Sequence, residues 1–130
     1  MLGQIGHALD YQRRFGGIAR LYGAGSLEAL ASARVCVVGV GGVGSWAVEA
    51  LVRSAVGHVC MIDMDHVAES NIKRQLPAVE SELGRSKVEV LRERKAAINP
   101  GCHVATVEDF VTPDNLDTMI PADSHCVLDC

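Results

Sequence analysis

The sequence predicts an α/β fold, a Rossmann-like parallel sheet with helices on both faces. Three observations point there. An apolar run, Val35-Cys36-Val37-Val38, enters the glycine cluster Gly39-Val40-Gly41-Gly42-Val43-Gly44 and leaves it as a helix-forming stretch from Ser45 to Leu51. Gly39, Gly41 and Gly44 carry the spacing G-x-G-x-x-G, and Asp63 follows about twenty residues on, after a second apolar run. From there to the last residue, helical and apolar stretches alternate, as they do when parallel strands are joined by right-handed crossovers.

The first elements in chain order are a loose leader over Met1 to Asp10 and a basic, aromatic segment from Tyr11 to Tyr22 that Gly16 and Gly17 break. A short helix over Ser26 to Ala31 is expected to be capped by the Ser26 hydroxyl. The first strand, about Arg34 to Val38, is apolar without interruption and so reads as buried on both faces. A helix from about Val43 to Ser54 follows, and Val56-Gly57-His58 turns the chain into a second strand, Val59 to Ile62. Residues 66–84 show little periodicity and much polar chemistry, the composition of a functional loop. Ser86 to Asn99 is helical, with Val88, Leu91, Lys95 and Ile98 in one stripe, and Pro100-Gly101 stops it. A third strand runs from His103 to Val107. Thr112 then caps a short helix, with Pro113 at its first position and its body over Asp114 to Met119. The fourth strand is Ser124 to Asp129. If the strands run 3-2-1-4, a crevice lies between the first and fourth strands, just beyond the glycine loop.

The totals set the class. A chain of 130 residues makes one domain with a real core. Its 48% hydrophobic content and mean hydropathy of +0.19 exclude disorder. A formal net charge of −4 gives no global field for nucleic acid, although a local patch would still serve. No apolar run approaches the roughly 20 residues of a membrane span, and the N-terminus lacks the pattern of a signal peptide, so a cytoplasmic location is expected. Cys36, Cys60 and Cys126 fall inside predicted strands and read as small buried hydrophobes, while Cys102 and Cys130 lie nearer strand ends. His7, His58, His66, His103 and His125 show no metal-ligand spacing.

Glycines plus a strand-end carboxylate would serve either NAD or ATP, because both offer a ribose to the carboxylate and phosphates to a helix N-terminus. The residues after Asp63 separate the two. Asn71, Arg74, Gln75 and Lys87 supply donors and two fixed positive charges, which a triphosphate needs and a nicotinamide does not. Asp65 reads as a turn former beside them. Trp46, at the start of the helix, reads as core and not as a platform for a base.

At this point the chain resembles the ubiquitin-activating-enzyme-like superfamily, which includes the adenylating enzymes of molybdopterin and thiamine sulfur carriers. The matching stretches are Gly39 to Ser45, Ile62-Asp63-Met64-Asp65, Ser70-Asn71-Ile72-Lys73-Arg74-Gln75, Gly84-Arg85-Ser86-Lys87 and Ile98-Asn99-Pro100. Within it, Arg14 to Gly23, Gly44-Ser45-Trp46-Ala47 and Asp109 to Asn115 resemble the tRNA threonylcarbamoyladenosine dehydratases. The resemblance implies ATP-dependent adenylation of a carboxylate on a modified adenosine in tRNA, followed by ring closure with loss of AMP. It implies nucleotide contacts from Gly39, Gly41, Gly42, Gly44, Asp63, Asp65, Asn71, Arg74, Gln75 and Lys87, with Arg74 and Lys87 acting on the reacting phosphate. It also implies Mg2+, a homodimer of the full-length protein and a sulfur-transfer partner.

On this resemblance, residues 1–33 are an N-terminal arm and short helix, and 34–130 are the N-terminal half of an ATP-binding adenylation domain cut after its fourth strand. The family's magnesium-associated aspartate would fall just past Cys130, with Asp129 in the strand-end motif before it. Arg14 and Arg20 are candidates for an arginine that reaches a partner's site. A fragment of this kind is expected to associate through its bare fourth strand and to lack dehydratase activity alone. Two further readings stand beside the adenylating enzyme: an NAD-binding oxidoreductase, and a nucleotide-binding fragment without catalysis.

Overall fold

The computed structural model describes residues 10–130; the leader before Asp10, with His7, lies outside them. Four parallel strands form one sheet in the order β3-β2-β1-β4, with β1 at Arg34–Val38, β2 at His58–Ile62, β3 at His103–Val107 and β4 at Cys126–Asp129. This is the expected order, and β1 and β3 have the expected ends. The side-chain period of two divides each strand between two faces. Val35, Val37, Val59 and Met61 point to one face, where Val48 and Val52 of α3 (Gly44–Arg53) and Val88 and Leu91 of α4 (Lys87–Ile98) close the main core. Cys36, Cys60 and Ile62 point to the other, where Val107, Val111, Met119 and Ile120 pack. Both faces of β1 are therefore buried, and this is why its sequence shows no alternation. Each fully buried aliphatic side chain here contributes about 1.5–3 kcal/mol.

Several local expectations are corrected. The segment broken by Gly16 and Gly17 is a continuous helix, α1 (Tyr11–Tyr22), started by the Asp10 carboxylate, which accepts from the Arg13 N–H at 3.0 Å. Each mid-helix glycine costs about 0.5–1 kcal/mol. Burial of Phe15 against Leu27 and Ala55 offsets that, with the Tyr11 hydroxyl donating to the Ala55 carbonyl at 3.4 Å. Ser26 does not cap α2 (Ser26–Ser32). Its hydroxyl donates back to the Gly23 carbonyl at 2.8 Å, and the helix is entered through left-handed Gly25.

The turn into β2 is made one step before the expected Val56-Gly57-His58. Ala55, at φ 66°, closes a Schellman motif in which Val56 N–H donates to Leu51 and Ala55 N–H to Val52. Thr112 is not a side-chain cap either, and α5 is shorter than expected, at Leu116–Met119. The Asn115 side chain accepts from Thr112 N–H at 2.7 Å, so a turn precedes the helix. Among the cysteines, Cys126 is exposed where burial is expected, because β4 is an edge strand among the described residues; Cys102 is buried and Cys130 exposed.

Candidate nucleotide site

The C-terminal ends of β1 and β2 carry the site. From Val38 the chain turns through Gly39, at φ 87°, a backbone setting that L side chains rarely adopt. It then passes Gly41 and Gly42 and enters α3 at Gly44. A Cβ at Gly44 would lie 1.7 Å from the Gly39 carbonyl oxygen, so this position admits only glycine. The loop's own N–H groups at Gly41, Gly42 and Val43 donate to no acceptor among the described residues. They stand at the positive end of α3, where an anion is favoured.

Asp63, at the end of β2, faces this loop. Its Oδ2 accepts from Val40 N–H at 2.8 Å, and its Oδ1 accepts from Asp65 N–H at 2.8 Å. The polar loop after β2 then returns to the glycines. Asn71 is buried and holds the turn: its side-chain oxygen accepts from Ala68 N–H at 2.9 Å, and its carbonyl accepts from Arg74 and Gln75. That turn sets Gln75 beside Gly41 and the stem of Arg74 beside Gly42. Gln75 is buried and its Oε1 has no partner. The Arg74 guanidinium donates only to the Ser70 carbonyl, at 3.1 Å, and enters no ion pair among the described residues. Lys87 opens α4 and is buried; its Nζ lies 3.7 Å from Asp65 Oδ2, with Lys87 N–H donating to the Asp65 carbonyl. Asp65 is thus both the expected turn former and the neighbour of Lys87.

Glycine loop, Asp63, Arg74 and Gln75 meet directly, Lys87 joins through Asp65, and Asn71 stands behind them. Two residues that organise the site escape sequence reasoning. The buried Ser45 hydroxyl donates to the Gly41 carbonyl and accepts from Leu76 N–H at 3.2 Å, tying the glycine loop to the 71–76 turn. Trp46 corrects the core expectation: it is exposed, and its Nε1 donates to the Arg74 carbonyl at 3.0 Å. A polar residue and an aromatic one directly after a G-x-x-G helix entry were the available signal. Among the described residues no group of three or more His, Cys, Asp or Glu could hold a metal ion. His58 and His103 stack at 4.9 Å at the opposite ends of β2 and β3, where burial and the nearby Arg34 lower the pKa of His58. No helix of the described residues is long and apolar enough to cross a membrane.

A parallel sheet with a glycine turn, a free helix N-terminus and a strand-end carboxylate at the strand-order switch defines the Rossmann-like class, built around an anion-binding turn. The chain belongs to the ThiF family, whose sequence profile matches residues 11–130. It is 52% identical over 106 residues to the tRNA threonylcarbamoyladenosine dehydratase of Haemophilus influenzae, an alignment covering 82% of this chain and 41% of that protein. The crystal structure of the Escherichia coli tRNA N6-threonylcarbamoyladenosine dehydratase in complex with ATP superposes with a TM-score of 0.91. It is 46% identical, over 97% of this chain and 52% of that one. The same enzyme in complex with AMP gives a TM-score of 0.90, at 46% identity over 97% of this chain and 51% of that one. The chain thus spans about half the length of these relatives.

Proposed function

We propose that this chain is the nucleotide-holding part of an ATP-dependent dehydratase that cyclises threonylcarbamoyladenosine in tRNA. In this reading residues 1–33 form an arm and 34–130 form the nucleotide half of the adenylation domain. The observation that carries it is the pairing of free N–H groups at Gly41, Gly42 and Val43 with the unpaired Arg74 cation lying over Gly42. An anion-shaped cradle beside a positive charge that no carboxylate neutralises suits a triphosphate. The orphaned Gln75 Oε1 is a buried polar group that a bound nucleotide can satisfy. The relatives' ATP and AMP complexes support the same choice.

The reaction joins the substrate carboxylate to the α-phosphorus of ATP with loss of pyrophosphate. A heteroatom of the same side chain then attacks the acyl carbon, gives up its proton and expels AMP. Here Gly41 and its neighbours hold phosphate oxygens through backbone N–H, and Asp63 accepts from the ribose hydroxyls. Arg74 and Lys87 balance charge that builds on the phosphate oxygens in the transition state. Asp65 keeps Lys87 in place. Mg2+ would supply counter-charge to the triphosphate; among the described residues no group of three or more His, Cys, Asp or Glu is gathered to hold it, so the phosphate oxygens would be its main ligands. The same reading carries a homodimer of the full-length protein, a sulfur-transfer partner and a cytoplasmic location.

Calorimetric titration of the chain with ATP and with NAD, and AMP release by the full-length protein with tRNA bearing threonylcarbamoyladenosine, test it. ATP should bind more tightly than NAD. Tighter NAD binding would overturn the reading in favour of an oxidoreductase.

A further inference from the structure

Trp46 is the chain's single tryptophan, and more than half of it, 55%, is exposed. A tryptophan is ordinarily placed with its body buried and its N–H satisfied. Here only the second condition holds. The hydrogen bond from Nε1 to the Arg74 carbonyl fixes the ring against the 71–76 turn and leaves its face open. Two other exposed apolar residues belong to the same two segments, Val43 in the glycine loop and Ile72 in the turn. So do two cations, Lys73 and Arg74, and neither forms an ion pair among the described residues.

An open aromatic face beside unpaired cations is the composition of sites for unpaired nucleotides, where bases stack on rings and cations follow the backbone. Its position matters as much. Arg74, whose carbonyl holds the indole, lies over Gly42 in the phosphate-type turn. A carboxylate delivered to a phosphate there must bring its own nucleoside, or the next one, to this rim. We propose that Trp46 is the stacking platform for an unpaired base of the RNA substrate, with Lys73 steering its backbone. The inference rests on the tRNA reading above.

The test uses the full chain and a labelled RNA hairpin carrying threonylcarbamoyladenosine in its unpaired loop, with binding followed by anisotropy. Because there is one tryptophan, its emission reports this site alone. Bound RNA should quench it. Trp46→Ala should weaken RNA binding about tenfold more than it weakens ATP binding, within the roughly 5- to 150-fold range of one base–aromatic stack. Trp46→Phe, which keeps a ring face, should stay within about threefold of the native chain. Lys73→Ala should flatten the slope of log affinity against log salt by about 0.7. Emission unchanged at saturating RNA, with Trp46→Ala binding as well as the native chain, would overturn the platform while leaving the tRNA reading intact. A blue shift with protein concentration in the absence of RNA would also overturn it, since a second copy would then cover the ring. A native chain that binds ATP but no RNA would overturn the platform, and the tRNA reading falls with it only if the full-length protein also releases no AMP with the modified tRNA.

Discussion

Asp63 Oδ2 accepts a hydrogen bond from Val40 N–H at 2.8 Å, linking the end of β2 to the middle of the glycine loop. With Oδ1 engaged by Asp65 N–H, one carboxylate fixes the two segments that flank the site. The group proposed to hold the ribose therefore also shapes the turn that receives the phosphates. Asp63→Ala should lower stability by about 1.5 kcal/mol, the low end for hydrogen bonds to a charged group because the side chain is half-buried. Nucleotide affinity should fall as well. Asp63→Asn, which keeps one acceptor, should recover part of the stability in urea unfolding. Unchanged stability in the alanine variant would show that the two hydrogen bonds are not what holds the loop.

Gly41 and Gly44 separate the two roles of glycine in the loop. A Cβ at Gly44 would lie 1.7 Å from backbone, so Gly44→Ala should cost about 3 kcal/mol or more and prevent a stable fold. At Gly41 the nearest atom to an added Cβ is Gln75 Nε2 at 3.5 Å, an ordinary contact. Gly41→Ala should therefore unfold within about 0.5 kcal/mol of the native chain yet bind ATP at least tenfold more weakly, because the methyl occupies the phosphate's approach. Thermal unfolding and calorimetry on the two variants check both halves. Intact ATP affinity in Gly41→Ala would place the phosphates elsewhere.

The strand order, the glycine loop and the convergence of Asp63, Arg74 and Gln75 were legible in the sequence because each rests on a local pattern. Apolar runs read as buried strands, and glycine spacing reads as a turn. What was not legible depends on distant partners. α1 survives Gly16 and Gly17 because Phe15 finds Leu27 and Ala55. Cys102 is buried because it belongs to the main core, and Cys126 is exposed because β4 has a neighbour on one side only among the described residues. Tryptophan usually belongs to the core, and only the Arg74 carbonyl shows where the Trp46 N–H is satisfied. Ser45 stands in the sequence as one residue of a motif, and in the structure it binds two loops together through one oxygen.

Arg74 and Lys87 should divide binding from chemistry. Arg74 is exposed and free of carboxylates, whereas Lys87 is buried with Asp65 alone nearby. If both act on charge that grows in the transition state, Arg74→Ala and Lys87→Met in the full-length protein should lower the rate of AMP formation by about 100-fold or more, with ATP affinity changed by less than tenfold. Lys87→Met should also leave stability nearly unchanged, since an apolar chain of similar volume fills the buried space and the Asp65 carboxylate left without its partner is exposed to water. Single-turnover AMP release and calorimetry separate these effects. Equal losses of affinity and rate in both variants would assign the two residues to ground-state binding.

Glu49 makes the stability of the site's support pH-dependent. On α3, its carboxylate accepts from Arg94 Nε at 2.7 Å and Nη2 at 2.9 Å, and from Arg53 Nε at 2.7 Å, so α3 and α4 are clamped by one partly buried anion. The Arg94 hydrogen bonds hold its pKa below the usual glutamate value, against the opposing effect of burial and with help from Arg53. A carboxyl depressed in the folded state stabilises it fully above the unfolded pKa, about 4.3, and loses that contribution as pH falls through the lower folded value. Glu49→Gln should therefore cost about 1–2 kcal/mol at pH 7, a range reduced for the half-exposed arginines. The gap from the native chain should narrow steadily below about pH 4.5. Glu93, held down in the same way by Arg85, titrates in both proteins and cancels in the difference. Urea unfolding of the two proteins between pH 7 and pH 3 measures the gap directly. A gap that stays constant across that range would show that the Glu49 charge is not what clamps α3 to α4.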